Sequence, residues 1–211
     1  MAYDLEEQEK LDALRAWWER HGTTVAVAVF VIVAAVVGWR GWQWYQGHQA
    51  NQAMGYFEAL QAAATQDGDD SVARIQAASA TLRDKFSDSG YSSRGALVAA
   101  AALAEKGQLD AAREQLQWLA ARGKEPALAA LARLRLAGVL LEQQQYDQAL
   151  TQLAQTPAGF EGLYADRRGD VLLAQGKIEE ARAEWQRALN AFGLDPIAQI
   201  VQLKIDAIAG A

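Results

Sequence analysis

The side chains that most often do chemistry are few in this sequence and poorly placed to cooperate. Its two histidines, His21 and His48, flank a long apolar run, so neither can reach the other across it. There is no cysteine, which removes thiol nucleophiles, zinc thiolate sites and disulfide frameworks together. Adjacent acids such as Glu179 and Glu180 point to different faces of a helix and read as solvated charges. Asp67-Gly68-Asp69-Asp70 has the composition of a calcium loop, but the later ligand positions do not follow, leaving a turn and a helix start. No nucleophile elbow, zinc-binding helix, phosphate-cradling glycine loop or dinucleotide fingerprint occurs. The chain therefore reads as a non-enzyme without a cofactor. Net charge is −6, and residues 48–211 carry 16 Lys and Arg against 20 Asp and Glu, dispersed along the chain. Phosphate recognition needs clustered cations, so nucleic acid is excluded as a partner.

With chemistry set aside, the question becomes what the elements hold in place. The stretch Thr23 to Tyr45 has no polar side chain from Val25 to Val37. A bilayer core of about 30 Å asks for about 20 mostly apolar helical residues, somewhat fewer when the flanks can snorkel. Trp17 and Trp18 on one side and Trp39, Trp42, Trp44 and Tyr45 on the other form two aromatic belts, and the lipid bilayer is the expected partner. The belts lie about 25 residues apart, roughly 37 Å along a helix, which suits interfacial aromatic residues. A core helix of a soluble protein would need other elements to bury it, and the first 45 residues supply none. A cleaved signal peptide needs a basic start and a small-residue cleavage site, whereas this start is acidic and bulky rings follow the run. Residues 22–45 are read as an uncleaved transmembrane anchor. Lys10, Arg15 and Arg20 precede it and only Arg40 follows closely, which puts residues 1–21 in the cytoplasm and residues 46–211 outside it.

The tail, residues 4 to 21, has Leu5, Leu11, Leu14, Trp17 and Trp18 at near-helical spacing, with Asp4 and Glu7 arranged as a capping box. It predicts a short amphipathic helix, either a cytosolic docking handle or merely the membrane-proximal turns of the anchor. Gly22 with Ala26 and Ala34 with Gly38 are small residues four apart that permit close helix approach. Beyond the anchor the periodicity is helical throughout and no strand pattern appears. Residues 50–65 place Ala50, Ala53, Met54, Phe57, Leu60 and Ala64 on one stripe, and a second helix is predicted from Ser71 to Phe86.

Three hexamers then share one pattern: Gly107 to Ala112, Gln144 to Ala149 and Gly176 to Ala181 each read Gly or Gln, any residue, large apolar, acid, any residue, Ala. Their spacings of 37 and 32 residues bracket the length of a helix-turn-helix tetratricopeptide unit. Glycine permits a tight turn, the acid suits the start of the following helix, and alanine lets two helices approach. The fold class is all-α: an N-terminal transmembrane helix followed by a tetratricopeptide-repeat-like solenoid, with repeats at 92–122, 126–156 and 160–192 and a capping helix at 196–208. The third copy resembles the consensus at Gly169, Leu172, Gly176, Ile178, Ala181, Trp185 and Ala188. The first-helix aromatic residue of the consensus is missing at Ala96, Arg133 and Ala165. In the cap, Ile197, Ile200, Val201, Ile205 and Ile208 are expected to face inward, and Gln199, Gln202, Lys204 and Asp206 outward.

Stacked helix pairs present a concave surface lined by the first helix of each unit. In this register it holds Leu97, Leu131, Leu134, Leu141, Leu163 and Leu173 beside Asp166, Arg167, Arg168 and Asp170, more leucine than a solvated wall requires. Such an apolar patch marks a site for a partner, or for one of the protein's own terminal helices. Trp118, on a second helix, is a lesser surface candidate.

An acidic tail ending Leu14-Arg15-Ala16-Trp17-Trp18-Glu19-Arg20-His21-Gly22, an anchor followed by Trp and Tyr, and a diverged tetratricopeptide-like domain together resemble the YfgM-type ancillary subunits of the bacterial Sec translocon. The resemblance covers the whole chain and is sharpest from Glu7 to Gly22. It implies a single-pass inner-membrane protein whose periplasmic domain associates with Sec translocon subunits and a membrane-anchored periplasmic isomerase-type chaperone, helping exported proteins pass to periplasmic chaperones. It also implies a link between the tail and a cytosolic stress-response regulator. An envelope scaffold or assembly factor unrelated to the translocon is the alternative reading.

Overall fold

A computed structural model of the chain describes the backbone of residues 2–209 and the side chains of residues 9–68 and 70–208; it holds nine helices and no strand among them. The first helix, α1 (Ala2–Ala64), runs without interruption through the tail, the apolar run and the stripe read at 50–65. Five interior glycines, at 22, 38, 41, 47 and 55, do not break it. Glycine costs about 1 kcal/mol per helix position but leaves the hydrogen-bond ladder intact, whereas proline, absent here, would not. The helix stops where the chain reaches Gly68, whose φ of 130° no L-residue adopts readily. The side chains of the expected capping pair, Asp4 and Glu7, lie outside the described residues.

The chain divides into two compact units after Asn51. In the first, side chains from residue 9 onward are exposed almost throughout, Phe30 at 72% and Val37 at 64% among them. Gly22 is the buried exception, because the Trp18 indole one turn earlier lies over it, so close that a Cβ there would stand 3.1 Å from the indole nitrogen. Trp17 stacks on His21 and Trp44 on His48, with ring centroids 5.3 Å and 5.6 Å apart.

In the second unit, residues 52–64 of α1 are followed by α2 (Asp69–Lys85), α3 (Gly90–Glu105), α4 (Leu109–Arg122), α5 (Pro126–Glu142), α6 (Tyr146–Gln152), α7 (Glu161–Ala174), α8 (Ile178–Phe192) and α9 (Ile197–Ala209). The three hexamers are the turns between α3 and α4, α5 and α6, and α7 and α8. Their first residues, Gly107, Gln144 and Gly176, all have positive φ, at 74°, 58° and 77°. In each turn the following amide donates to a carbonyl five residues back: Gln108 to Leu103, Gln145 to Leu140 and Lys177 to Leu172, at 2.8, 2.8 and 2.9 Å. This is the Schellman closure, which satisfies carbonyls at the end of a helix. Each turn also reaches back to the one before it. Lys106 donates to the Gln66 carbonyl, Gln143 to Asp110 and Gln175 to Asp147, at 2.9, 3.0 and 3.2 Å. The first two acids of the pattern, Asp110 and Asp147, therefore join neighbouring repeats as well as starting helices.

The core forms two clusters. The larger runs from Ala53 and Leu60 through α2 to α6 and reaches Tyr164 and Val171 of α7. The smaller holds Ala165, Leu172, Ala181, Trp185, Ala188 and Val201. Of the stripe expected over 50–65, Ala50 and Met54 face outward, while Ala63 joins Ala53 and Leu60 inside. Trp185 is buried because Gly169 makes room: a Cβ on Gly169 would stand 2.4 Å from the indole nitrogen. The cap corrects the expected faces. Val201 is buried and Lys204, Ile205 and Ile208 are half-buried, whereas Ile197, Ile200 and Leu203 are exposed. The inward face is thus set by positions 201, 204, 205 and 208, and a lysine lies on it because acids on α7 meet it.

Candidate functional site

Two surfaces deserve the name of site. The first is the apolar length of α1. One helix, over residues 9–64 of the described chain, is long and apolar enough to cross a membrane, and none of its most apolar stretch is buried by protein. The aromatic belts flank that stretch with every ring at least 48% exposed: Trp17 and Trp18 on one side, Trp39, Trp42, Trp44 and Tyr45 on the other. Burying a side chain of Val or Phe size is worth about 1.5–3 kcal/mol, so the exposed run matches lipid and mismatches water.

The second is the face made by the first helices, α3, α5 and α7. Here the leucines are placed differently from the open wall expected of them. Leu97 and Leu134 are core residues, 8% and 9% exposed. Leu131, Leu141 and Leu163 are half-buried against the same cluster, and only Leu173 is exposed. The reason is that α3, α5 and α7 pack on one another, so leucines at these positions fill the seams between repeats. Trp118 is likewise half-buried against the core.

The charged residues named with them divide into two groups. Arg168 turns away, donating to Glu184 at 2.8 Å, to the Leu153 carbonyl at 3.0 Å and to the Thr156 hydroxyl at 3.1 Å. It ties α7 to α8 and to the chain after α6. Asp166 and Asp170, one turn apart, both accept from Lys204 of α9 at 2.6 Å. The Trp185 indole N–H bonds the Asp166 carbonyl and an Asp170 carboxylate oxygen, and Lys204 lies 5.8 Å from the indole centroid. Burial holds the Asp166 carboxyl above the ordinary carboxylate range; its hydrogen bond to Lys204 opposes the shift, and the charge of Asp170 adds to it. These acids are consumed in fastening the protein's own α9, which occupies that end of the face.

The open part lies at the other end. A cavity of about 490 Å³ has Leu97, Val98 and Ala101 on its apolar floor and Arg94, Glu105 and Arg135 around it. Arg167 continues the basic line: its guanidinium lies over Gly138, one turn from Arg135, 3.7 Å from Asp170. Sequence reasoning passed over Arg94, Val98, Ala101 and Arg135. The signal was present, since positions 94, 98, 101 and 105 are one helical stripe opposite the buried residues of α3. Tyr164 was also missed: fully buried, its hydroxyl donates to the Ala130 carbonyl at 2.8 Å and joins α7 to α5. Its burial pushes the phenol pKa up, with Arg133 opposing.

The comparisons with known proteins fit this architecture. A model of the tetratricopeptide repeat-like domain family matches residues 15–210. The chain is 31% identical to a protein of Neisseria gonorrhoeae over 211 residues, covering 99% of this chain and all of the relative. It is 30% identical to a protein of Escherichia coli over 204 residues, 95% of each, and 29% identical to one of Haemophilus influenzae over 207 residues, 98% of this chain and 99% of that one. All three relatives are called ancillary SecYEG translocon subunits. No solved structure matches the chain. An apolar helix, paired helices closed by repeated turns, and relatives alike from end to end lead to one conclusion: the chain belongs to the family of ancillary SecYEG translocon subunits, with a tetratricopeptide repeat-like domain.

Proposed function

We propose that the protein is a membrane-anchored adaptor of the Sec translocon: α1 crosses the inner membrane with its N-terminus in the cytoplasm, and the helix pairs stand in the periplasm and take hold of proteins there. The observation that carries this reading is the end-to-end likeness to relatives called SecYEG subunits in a chain whose apolar helix is left uncovered by protein. Orientation rests on Lys10, Arg15 and Arg20 before the apolar run. A helical-repeat surface without a catalytic constellation suits protein-protein contact, and the finer roles follow: association with an isomerase-type chaperone anchored beside the translocon, passage of exported proteins to periplasmic chaperones, and contact of the tail with a cytosolic stress-response regulator. Anchoring would keep the domain at high effective concentration near its partners, so individual contacts need not be tight.

The test is site-specific crosslinking from residues 90–208 in native inner membranes. Recovery of translocon subunits is expected, together with a chaperone. Recovery of envelope assembly machinery alone would favour the scaffold reading, and recovery of neither would overturn both.

A further inference from the structure

The basic side chains of residues 52–208 are nearly all engaged. Among the described residues, those without a hydrogen-bond or ion-pair partner are Lys85, Arg122, Arg135 and Lys177. Lys85 and Arg122 sit in the last turns of α2 and α4, where the helix dipole favours a cation, and Lys177 lies in the turn after α7. Arg135 has no such reason to be where it is. It stands in the middle of α5, exposed, on the rim of the cavity floored by Leu97, Val98 and Ala101. Arg94 shares that rim and is held only by Glu125 at 3.8 Å and its own Gly90 carbonyl. In a chain of net charge −6, an apolar floor beside an unpaired guanidinium is a local reversal of sign.

From this geometry we infer that the cavity formed by α3, Arg135 of α5 and the end of α1 at Ala64 and Thr65 binds an extended peptide, an aliphatic side chain resting on Leu97, Val98 and Ala101 and a carboxylate paired with Arg135. The inference rests on the adaptor reading and names the chemistry of what the adaptor holds. The stripe from Arg94 to Glu105 is about 16 Å long at 1.5 Å per residue, room for about five residues of extended chain. The cavity volume falls within the roughly 300–1,000 Å³ of ordinary ligand sites. Guanidinium is the cation suited to a carboxylate, gripping it with two parallel N–H donors. Glu105 at the far end of the stripe repels a second acid, so one acid beside aliphatic residues is selected over an acidic run.

The experiment uses the full chain in lipid nanodiscs and fluorescent ten-residue peptides, read by anisotropy. One amidated peptide carries a central Asp-Val in a Gly-Ser background; its variants carry Asn-Val, Asp-Ser or Lys-Val, and a fifth presents Val at a free C-terminus. The Asp-Val peptide should bind about tenfold more tightly than Asn-Val, the size of one charge-assisted hydrogen bond. Arg135→Gln should abolish that difference, Val98→Gln should weaken both, and Arg135→Glu should reverse the preference toward Lys-Val. Binding of the free C-terminus but not of Asp-Val would place the carboxylate at a chain end, still on Arg135. No binding of any peptide, or binding indifferent to Arg135→Gln and Arg135→Glu, would overturn the inference. Crosslinking of the unaltered protein to the translocon is measured in parallel: if it persists while peptides fail, this pocket falls and the adaptor reading stands.

Discussion

Helix α1 obeys opposite rules at its two ends. Between Val25 and Val37 its apolar side chains point all round the helix with nothing over them, and Val27, Phe30 and Val33 are each more than half exposed. Between Ala53 and Ala63 the same helix buries one stripe completely, Ala53 and Leu60 at zero exposure, against α2 and α3. Apolar residues therefore meet two surroundings: in the first stretch nothing of the protein's own, which suits hydrocarbon, and in the second the side chains of the protein's own helices. A change of residue should be felt wherever its surroundings are protein and be nearly silent wherever they are lipid, unless it brings a charge.

The sharpest contrast is between tryptophans. Trp185→Ala removes a fully buried ring and should destabilise the repeat domain by about 3–5 kcal/mol, seen as a collapse of the thermal transition in circular dichroism, whereas Trp42→Ala should leave that transition in place. A charge reverses the order. Val31→Arg at the centre of the apolar run should cost about 2.5–3.5 kcal/mol of membrane insertion and move protein into the carbonate-soluble fraction, with the domain's melting unchanged. Glycine gives the next pair. Gly169→Ala places a methyl against the Trp185 indole and should cost about 1–3 kcal/mol, while Gly38→Ala meets nothing within 4 Å and should be neutral or slightly stabilising. The smallest effect is a gain. Gln144→Gly relieves the one non-glycine residue of positive φ among those described and should stabilise the domain by about 1 kcal/mol in denaturant titrations; a loss there would show that the Gln144 side chain earns its place.

What the sequence disclosed tracks how local each feature is. The turns at Gly107, Gln144 and Gly176 could be read because a Schellman closure is written in six consecutive residues. The all-α class was legible in the helical periodicity that continues beyond residue 50 without a strand pattern. The continuity of α1 was not, since glycines that end a helix in one setting are carried through in another when the ladder continues on both sides. Nor was the inward turn of Lys204, which depends on Asp166 and Asp170 more than 30 residues away. The leucines of the first helices showed the same limit. Periodicity revealed which of them share a face, but whether that face is open or closed by the next repeat is a property of stacking.

The shortness of α6 has a dynamic consequence. With two turns it is the shortest helix in the larger core cluster, to which Ala149 and the following Leu153 bring fully buried side chains, and Leu150 touches both clusters. Cooperativity in a stacked protein passes from neighbour to neighbour, so a weak layer divides it. The backbone amides of α6 should exchange with solvent early, ahead of α3 or α8, and the stack should breathe there, opening into one block ending at α5 and another formed by α7, α8 and α9, while Tyr164 and Arg168 draw the blocks shut again.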